Sequence, residues 1–471
     1  MIVHKFGGTS VGDAQCFANV ADIVTDHHLR RGNAPGGQGV VVVSAMSGVT
    51  DRLIAGARAA AEGRDTEHRQ IKAQLLSRHL EVVDTLLTRS PERLEVGGLI
   101  EDRLHELERF YRSIALLGEL TPRGHDAVAS FGEQLSASIL AAALRERGVR
   151  AVALSATDLI VTDDNFGAAT PLMDLTRPRL QDQVRPLVER GIVPIITGYI
   201  AATERGVPTT LGRGGSDFAA AIIGAGLDAD EVWIWSDVDG ILTADPNIVP
   251  QARTLSELSY AEAADLAYYG AEVLHPKTIR PLIERGIPLR IVNSFNPSHP
   301  GTRIVESPRD DRERLPAIIS TTGLSLIGIG SQDDSWALPL AARTLQRLSE
   351  VGVDVLMFSQ SFSEHNLNLI VRQQDQAHCL KTLDREFENG RADSAYSLGV
   401  QERVATISVV GVPNWNEGGI VSHAFAALGK HRTRIIAVAQ AATEYSVSFC
   451  IPEEQVVGTV RFLHHELGLE E

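Results

Sequence analysis

The sequence predicts an α/β protein: one large domain on a mainly parallel sheet, followed by two small α/β units of like pattern. Three observations predict it. Short β-branched runs alternate with helix-length amphipathic stretches through residues 1–300, as in βαβ units. A charged, proline-bearing segment, Ser307–Pro316, then breaks the pattern. Beyond it the chain repeats itself at an interval of about 80 residues.

Taken in order, the strand candidates are Ile2–Phe6, Gly39–Ser44, Ala151–Leu154, Ile192–Ile196, Glu231–Trp235 and Pro288–Val292, nearly continuous apolar runs that suit burial on both faces. Asp65–Arg89, Leu99–Leu117 and Asp126–Arg147 carry apolar residues at helical spacing. Together they predict a three-layer α/β/α domain over residues 1–300. SPRDDRERLP (Ser307–Pro316) cannot bury a core, so residues 301–318 read as a linker. Leu326–Gly330 then recurs as Ile407–Gly411, and Ser359–His365 as Ala439–Tyr445. Each copy reads strand, helix (Ala337–Glu350; Ile420–Leu428), strand, polar turn, strand (Asn366–Val371; Ser446–Ile451), helix (Gln376–Phe387; Glu454–His465). Two βαββα(β) units, 319–400 and 401–471, follow. Small sandwiches of this kind leave sheet edges open, so pairing within or between chains is expected.

Sixty acidic against forty-four basic residues leave a net charge of −16, which repels phosphate polyanions and argues against a nucleic-acid or anionic-membrane binder. Any phosphate site must be built locally. Lysine is scarce (Lys5, Lys72, Lys277, Lys381, Lys430), so its placement is informative. Three scattered cysteines fit neither a disulfide framework nor a CxxC site, and point to a reducing, cytoplasmic setting. Lys5 inside the first apolar run argues against a signal peptide, and no uninterrupted run of 18 apolar residues suggests a membrane span. His27-His28, His275 and His464-His465 lack metal-ligand spacing, so no metal site is expected.

The chemistry-bearing residues cluster after strands. Lys5 leads into Gly7-Gly8-Thr9-Ser10, where backbone N–H groups can approach an anion ahead of a helix start; read alone, such a turn is also an ordinary tight turn. No GxxxxGK[ST] P-loop and no complete GxGxxG after a strand exists. Ser44, Ser47 and Thr50 sit at a strand's carboxyl end, where open α/β sheets bind ligands, although Thr50 could equally cap the next helix. Gly212-Arg213-Gly214-Gly215-Ser216-Asp217 joins a backbone nest to an arginine able to grip a carboxylate with two prongs. Asp217 there either orients a lysine or ammonium or is a plain first-turn helix acid. Glu133 sits early in a helix, where a lone acid most often just faces solvent or favours the helix dipole. Ser236-Asp237 and the Thr243–Asn247 segment also follow a strand end, in residue types that spell turns as well as nucleotide contacts.

KFGGTSV, VVVSAMSGVT, SFGEQLS, GRGGSD, SDVDGILTADP and GAEVLHP together resemble the aspartate kinases of the amino-acid-kinase family, in order and spacing over essentially the whole chain, and the tail resembles tandem ACT regulatory domains. The resemblance implies ATP- and Mg²⁺-dependent phosphorylation of the side-chain carboxylate of L-aspartate. It implies Lys5 and Asp217 as catalytic residues, with Ser44, Thr50, Glu133, Arg213, Gly214, Gly215 and Ser216 around aspartate. Lys5, Gly7, Gly8, Thr9, Ser236, Asp237, Leu242, Asn247 and Lys277 would border ATP. An amino-acid effector, threonine ahead of lysine, would bind at ACT interfaces through Gln360, Ser361 and Gln440. A homodimer or higher homo-oligomer is expected.

Many relatives have Tyr and Arg where this chain has Leu242 and Asn247, and Lys where it has Glu272. A carboxylate near triphosphate is costly, and Lys277 is the candidate replacement cation. The chain ends after the second repeat, so the expectation is a monofunctional aspartate kinase. The competing expectation is a catalytically weakened paralogue that acts as an amino-acid sensor or regulatory subunit.

Overall fold

The computed structural model describes residues 1–470 apart from 32–38, 89, 269–273, 275, 309–313, 332–336, 362–365, 389–395, 412–418 and 441–445. Glu272, most of the charged segment before Pro316, and the polar turns after Ser361 and Gln440 lie outside the described residues. The chain packs as two units. The first holds Met1–Ile241, Ser256–Tyr260 and Val273–Pro308; the second holds Leu242–Leu255, Ala261–Glu272 and Arg309–Glu471.

The first unit is organised by an eight-stranded sheet. In chain order its strands are β1 (Ile2–Phe6), β2 (Gly39–Val43), β3 (Ala151–Leu154), then β5 (Val193–Thr197), β8 (Glu231–Ser236), β9 (Glu257–Ser259), β10 (Leu289–Asn293) and β11 (Thr302–Val305). Their spatial order is β3-β5-β2-β1-β8-β10-β11-β9, and every pairing is parallel except β10–β11. β1 is fully buried between β2 and β8, and Val, Ile, Phe and Trp make up most of all three strands. Phe6 stacks on Trp235 and joins Val41, Val43 and Ile195 in a core shared with Ala14–Arg31, Val49–Ala61 and Phe131–Glu146. The alternate residues, Lys5 and Val232, face the opposite side, where the small-residue helix Gly215–Leu227 packs.

A second sheet of three short strands, β4 (Val161–Thr162), β6 (Ile200–Thr203) and β7 (Pro208–Thr210), was not foreshadowed by the sequence pattern. The expected helix Asp126–Arg147 is two helices, Pro122–Ala129 and Phe131–Glu146, joined at Ser130. The stretch they cover is apolar and long enough to cross a membrane, but 83% of its most apolar window is buried. It is a core element that carries two acids, Asp126 and Glu133, into the interior.

In the second unit both repeats share one six-stranded antiparallel sheet. Its strands are β12 (Ala317–Ser331), β13 (Met357–Ser361), β14 (Asn366–Arg372), β15 (Tyr396–Val410), β16 (Ala437–Gln440) and β17 (Ser446–Pro452), in the order β13-β14-β12-β15-β17-β16. β12 and β15 are long because each serves both repeats: Leu324–Gly330 pairs with β14, whereas Ala317–Thr321 pairs with the end of β15. A register shift between Thr321 and Leu324, at Gly323, divides the halves. Side-by-side pairing of the repeats within the chain closes the β12 and β15 edges and leaves β13 and β16 as the outer strands. Leu242–Leu255 folds here as well: Ala244 and Val249 join the core of Ile407, Phe449 and Leu463, and Thr243 Oγ1 lies 2.9 Å from His464 Nε2.

Candidate active site

Lys5 reaches the carboxyl edge of the large sheet at its centre, since β1 is flanked on both sides by parallel neighbours. Its ammonium is 2.5 Å from Asp217 Oδ1, with the two side chains only 10% and 17% exposed. The following turn is drawn onto the next loop: Gly8 O accepts from Val11 N at 3.3 Å and from Ser47 N at 3.2 Å. A Cβ on Gly8 would stand 3.0 Å from Ala45 O, so this close approach needs glycine. Arg78, from the helix Asp65–Leu86, spans both loops by donating to Ser47 O and Gly12 O, each at 2.9 Å.

Arg213 sits between Gly212 and Gly214, both at positive φ, and Gly214 then caps the helix Gly215–Leu227 in a left-handed conformation that a side chain would strain. The arginine is exposed and pairs with no carboxylate among the described residues. Gly48, also left-handed, caps Val49–Ala61, so Thr50 lies inside that helix and is not its N-cap.

Glu133 is 3% exposed, and its Oε2 has no hydrogen-bond partner among the described residues. Burial pushes its pKa up to about 8, against the pull of the backbone N–H groups of Glu133 and Ala45. Gly132 permits this placement, because a Cβ there would meet Ala45 Cβ at 2.7 Å. Tyr199 adopts φ +62°, a strained value for an aromatic residue. Burial raises its pKa, and the Glu133 and Asp126 charges add to the effect.

These groups meet in one cavity of about 520 Å³, lined by Lys5, Gly8, Ser44, Thr50, Glu133, Arg213, Gly214, Gly215, Ser216 and Asp217 together with Ser47, Asp51, Gly167 and Tyr199. Of the other sequence-derived candidates, Gly7, Thr9, Ser236, Asp237 and Lys277 belong to the first unit without lining that cavity. Ser236 Oγ bonds to Asp237 Oδ1 at 3.1 Å, while Asp239 is occupied by the amides of Asn293 and Asn296. Leu242 and Asn247 fold with the second unit, where Asn247 closes a turn onto Asp245 and Leu242 bridges to Thr254. Gln360 and Ser361 end β13 and Gln440 ends β16, the two outer strands of the six-stranded sheet. Sequence reasoning passed over Tyr199, Asp126 and Arg78; a Gly-Tyr pair after a strand was the one local signal for Tyr199.

The cavity thus offers one cation held against a carboxylate, a backbone nest with a free guanidinium, and a buried acid with an open oxygen. That set can hold an anion at one end and an ammonium plus carboxylate at the other. Among the described residues no cluster of three His, Cys, Asp or Glu side chains forms a metal cage.

The model of the amino acid kinase family matches residues 1–293, and that of the ACT domain matches 338–387 and 407–467. The chain is 33% identical over 99% of its length to the maize (Zea mays) chloroplastic bifunctional aspartokinase/homoserine dehydrogenase 1, and spans about half the length of that relative. It is 31% identical to Arabidopsis thaliana aspartokinase 1, covering 98% of this chain and 79% of the relative. Among solved structures it resembles E. coli aspartokinase III, with 27% identity and 99% of this chain covered in each of two states. One state, with aspartate and ADP, is fully covered at a TM-score of 0.79; the other, with lysine and aspartate, is 99% covered at 0.81.

Proposed function

The chain belongs to the amino acid kinase family and carries ACT domains behind its kinase domain, and from that premise we propose that it is an aspartate kinase. It transfers the γ-phosphoryl group of ATP to the side-chain carboxylate of L-aspartate, giving 4-phospho-L-aspartate for the synthesis of lysine, threonine and methionine. The observation that carries this reading is the shared cavity of Lys5–Asp217, Arg213 and Glu133.

The acceptor is already an anion, so no base is required. An oxygen of the aspartate β-carboxylate forms a bond to Pγ while the bond from Pγ to the bridging oxygen breaks, and ADP leaves with that electron pair. The protein's work is to bring two anions together and neutralise them. Arg213 grips a carboxylate of aspartate, and Glu133 receives its α-ammonium. Ser44, Thr50 and Ser216 complete the acceptor side. Lys5, turned by Asp217, meets the transferring phosphoryl, with the Gly7-Gly8 turn on its oxygens. Mg²⁺ would arrive on the triphosphate and screen its charge; Asp217 and Asp51 are the cavity carboxylates nearest in kind to a ligand for it.

ATP-dependent aspartyl hydroxamate formation tests this, with Lys5→Ala as control. Turnover no greater than the control supports instead the weakened paralogue, a reading motivated by the sequence positions Glu272, Leu242 and Asn247. We infer further that an amino acid acts through the ACT unit, threonine ahead of lysine, on the strength of the Gln360–His365 sequence, and that the chain assembles as a homodimer or higher homo-oligomer. Assays with threonine, lysine and both, and light scattering, check these two points. Flat activity across the panel refutes the first, and a monomer the second.

A further inference from the structure

We propose that Asp126 is a positioning residue of the acceptor half of the cavity, fixing the backbone that carries Arg213 and so setting the affinity for aspartate. The inference rests on the aspartate kinase reading.

Asp126 is fully buried in an apolar stretch, where a carboxylate is costly unless its oxygens are saturated. No lysine or arginine pairs with it among the described residues. Its oxygens are spent on two chain segments instead. Oδ2 accepts Gly167 N at 2.8 Å and Thr210 N at 2.9 Å, Oδ1 accepts Thr210 Oγ1 at 2.9 Å, and the half-buried His125 ring approaches at 3.4 Å.

Both segments lead to the arginine. Thr210 ends β7 and runs directly into Leu211-Gly212-Arg213. Gly167 lines the cavity and backs onto Gly212 so closely that a Cβ there would be 3.1 Å from Gly167 O. The two are laced together by the bond from Ala169 N to Thr210 O at 2.9 Å, and Leu211 N donates to Tyr199 O at 2.9 Å. The helix that carries Asp126 continues through Ser130 into the helix that carries Glu133. One rigid element therefore holds Glu133 directly and the Arg213 loop through Asp126, which fixes the distance between the groups that receive the ammonium and carboxylate. An amide in place of the carboxylate keeps one oxygen for the two N–H donors but loses the charge that strengthens those bonds, and its NH₂ can meet Thr210 Oγ1 only if that hydroxyl turns from donor to acceptor.

The test uses Asp126→Asn, Thr210→Val and Thr210→Ser in the full chain, with steady-state kinetics and melting temperatures. The expected result is an aspartate KM raised roughly tenfold to a hundredfold in Asp126→Asn and Thr210→Val, with the ATP KM within about twofold of wild type and restoration by Thr210→Ser. A lowered melting temperature with both KM values unchanged, or both raised in parallel, overturns the proposal. If Asp126→Asn does not fold, the Thr210 pair decides alone: no rise with valine, or no rescue with serine, overturns it. Wild-type protein that fails to turn over aspartate defeats the functional reading itself, an outcome distinct from normal wild-type turnover with unaltered variants.

Discussion

Lys5 Nζ stands 2.5 Å from Asp217 Oδ1, one at the end of the central strand and the other in the first turn of the helix that packs across it. A lysine on a four-carbon stem has many rotamers, and this contact selects the one that points along the glycine turn. Asp217→Asn removes the selecting charge and leaves the lysine. The expected outcome is a kcat lower by about tenfold to a hundredfold, from lost orientation, with little change in aspartate KM. Lys5→Ala removes the phosphate partner itself, and about a thousandfold loss in kcat is expected, measured by single-turnover ADP release.

Glu133 makes aspartate binding pH-dependent. The acid is protonated in the empty cavity below about pH 8 and must ionise to hold an ammonium. Aspartate affinity should therefore rise by about tenfold per pH unit from pH 6 toward 8 and then level off, with a proton released on binding. Calorimetry in buffers of different ionisation enthalpy reads that proton; its absence excludes the role.

The same raised pKa bears on stability. The unfolded acid ionises near its ordinary 4.5 while the folded one holds its proton to about 8, so the folded state binds more protons across that window. Stability from this group is complete below pH 4.5 and is lost as pH rises through 8. Glu133→Gln should raise the melting temperature of ligand-free protein at pH 8 to 9, leave it unchanged near pH 4, and abolish aspartate binding. The expected gain is on the order of a few kcal/mol.

Lys5 and Arg213 were legible in the sequence because glycines beside strand ends are local signals, readable without knowing what packs where, whereas Glu133, inside a helix, gained its role only through the resemblance. Asp126 was not legible, because its partners lie far along the chain and are, apart from the Thr210 hydroxyl, backbone N–H groups of unremarkable residues. Tyr199 was hidden for the same reason. The small sheet escaped notice because β4 has two residues, too few to show alternation. Residues Thr243–Asn247 read as a continuation of the strand end before them, yet Ala244 packs with Ile407 and Phe449, a hydrophobic preference that only the folded second unit expresses. The paired repeats, by contrast, were visible as repeats, and the open edges of each anticipated their union.

Arg78 gives a prediction about the two loops over the cavity. Its guanidinium donates to carbonyls on both, a fork that an ammonium cannot reproduce. Arg78→Lys should behave like Arg78→Leu, with kcat/KM lower by about tenfold and a melting temperature close to wild type, since the side chain is partly exposed and its two bonds are worth about 1 kcal/mol each. Full activity in the lysine variant assigns the effect to charge and not to geometry.

His464 supplies a local test of how Leu242–Leu255 is held. Thr243 is fully buried, and its hydroxyl both accepts from Arg253 N at 2.9 Å and meets His464 Nε2, while Glu470 supplies the nearby charge. Burial lowers the His464 pKa below the ordinary 6.5, so the unfolded state binds the proton first as pH falls. The sign follows: the contribution is complete above pH 6.5 and is lost as pH drops through the lower folded value. Amide hydrogen exchange at Thr243 and Arg253, corrected for its intrinsic pH dependence, should accelerate severalfold between pH 7.5 and 5.5. The deciding quantity is the difference from His464→Gln, whose amide keeps a partner for Thr243 but carries no titrating proton. Equal acceleration in wild type and the glutamine variant would place the pH sensitivity elsewhere, whereas a flat glutamine profile with fast exchange in His464→Ala assigns the pH sensitivity of this segment to that hydrogen bond.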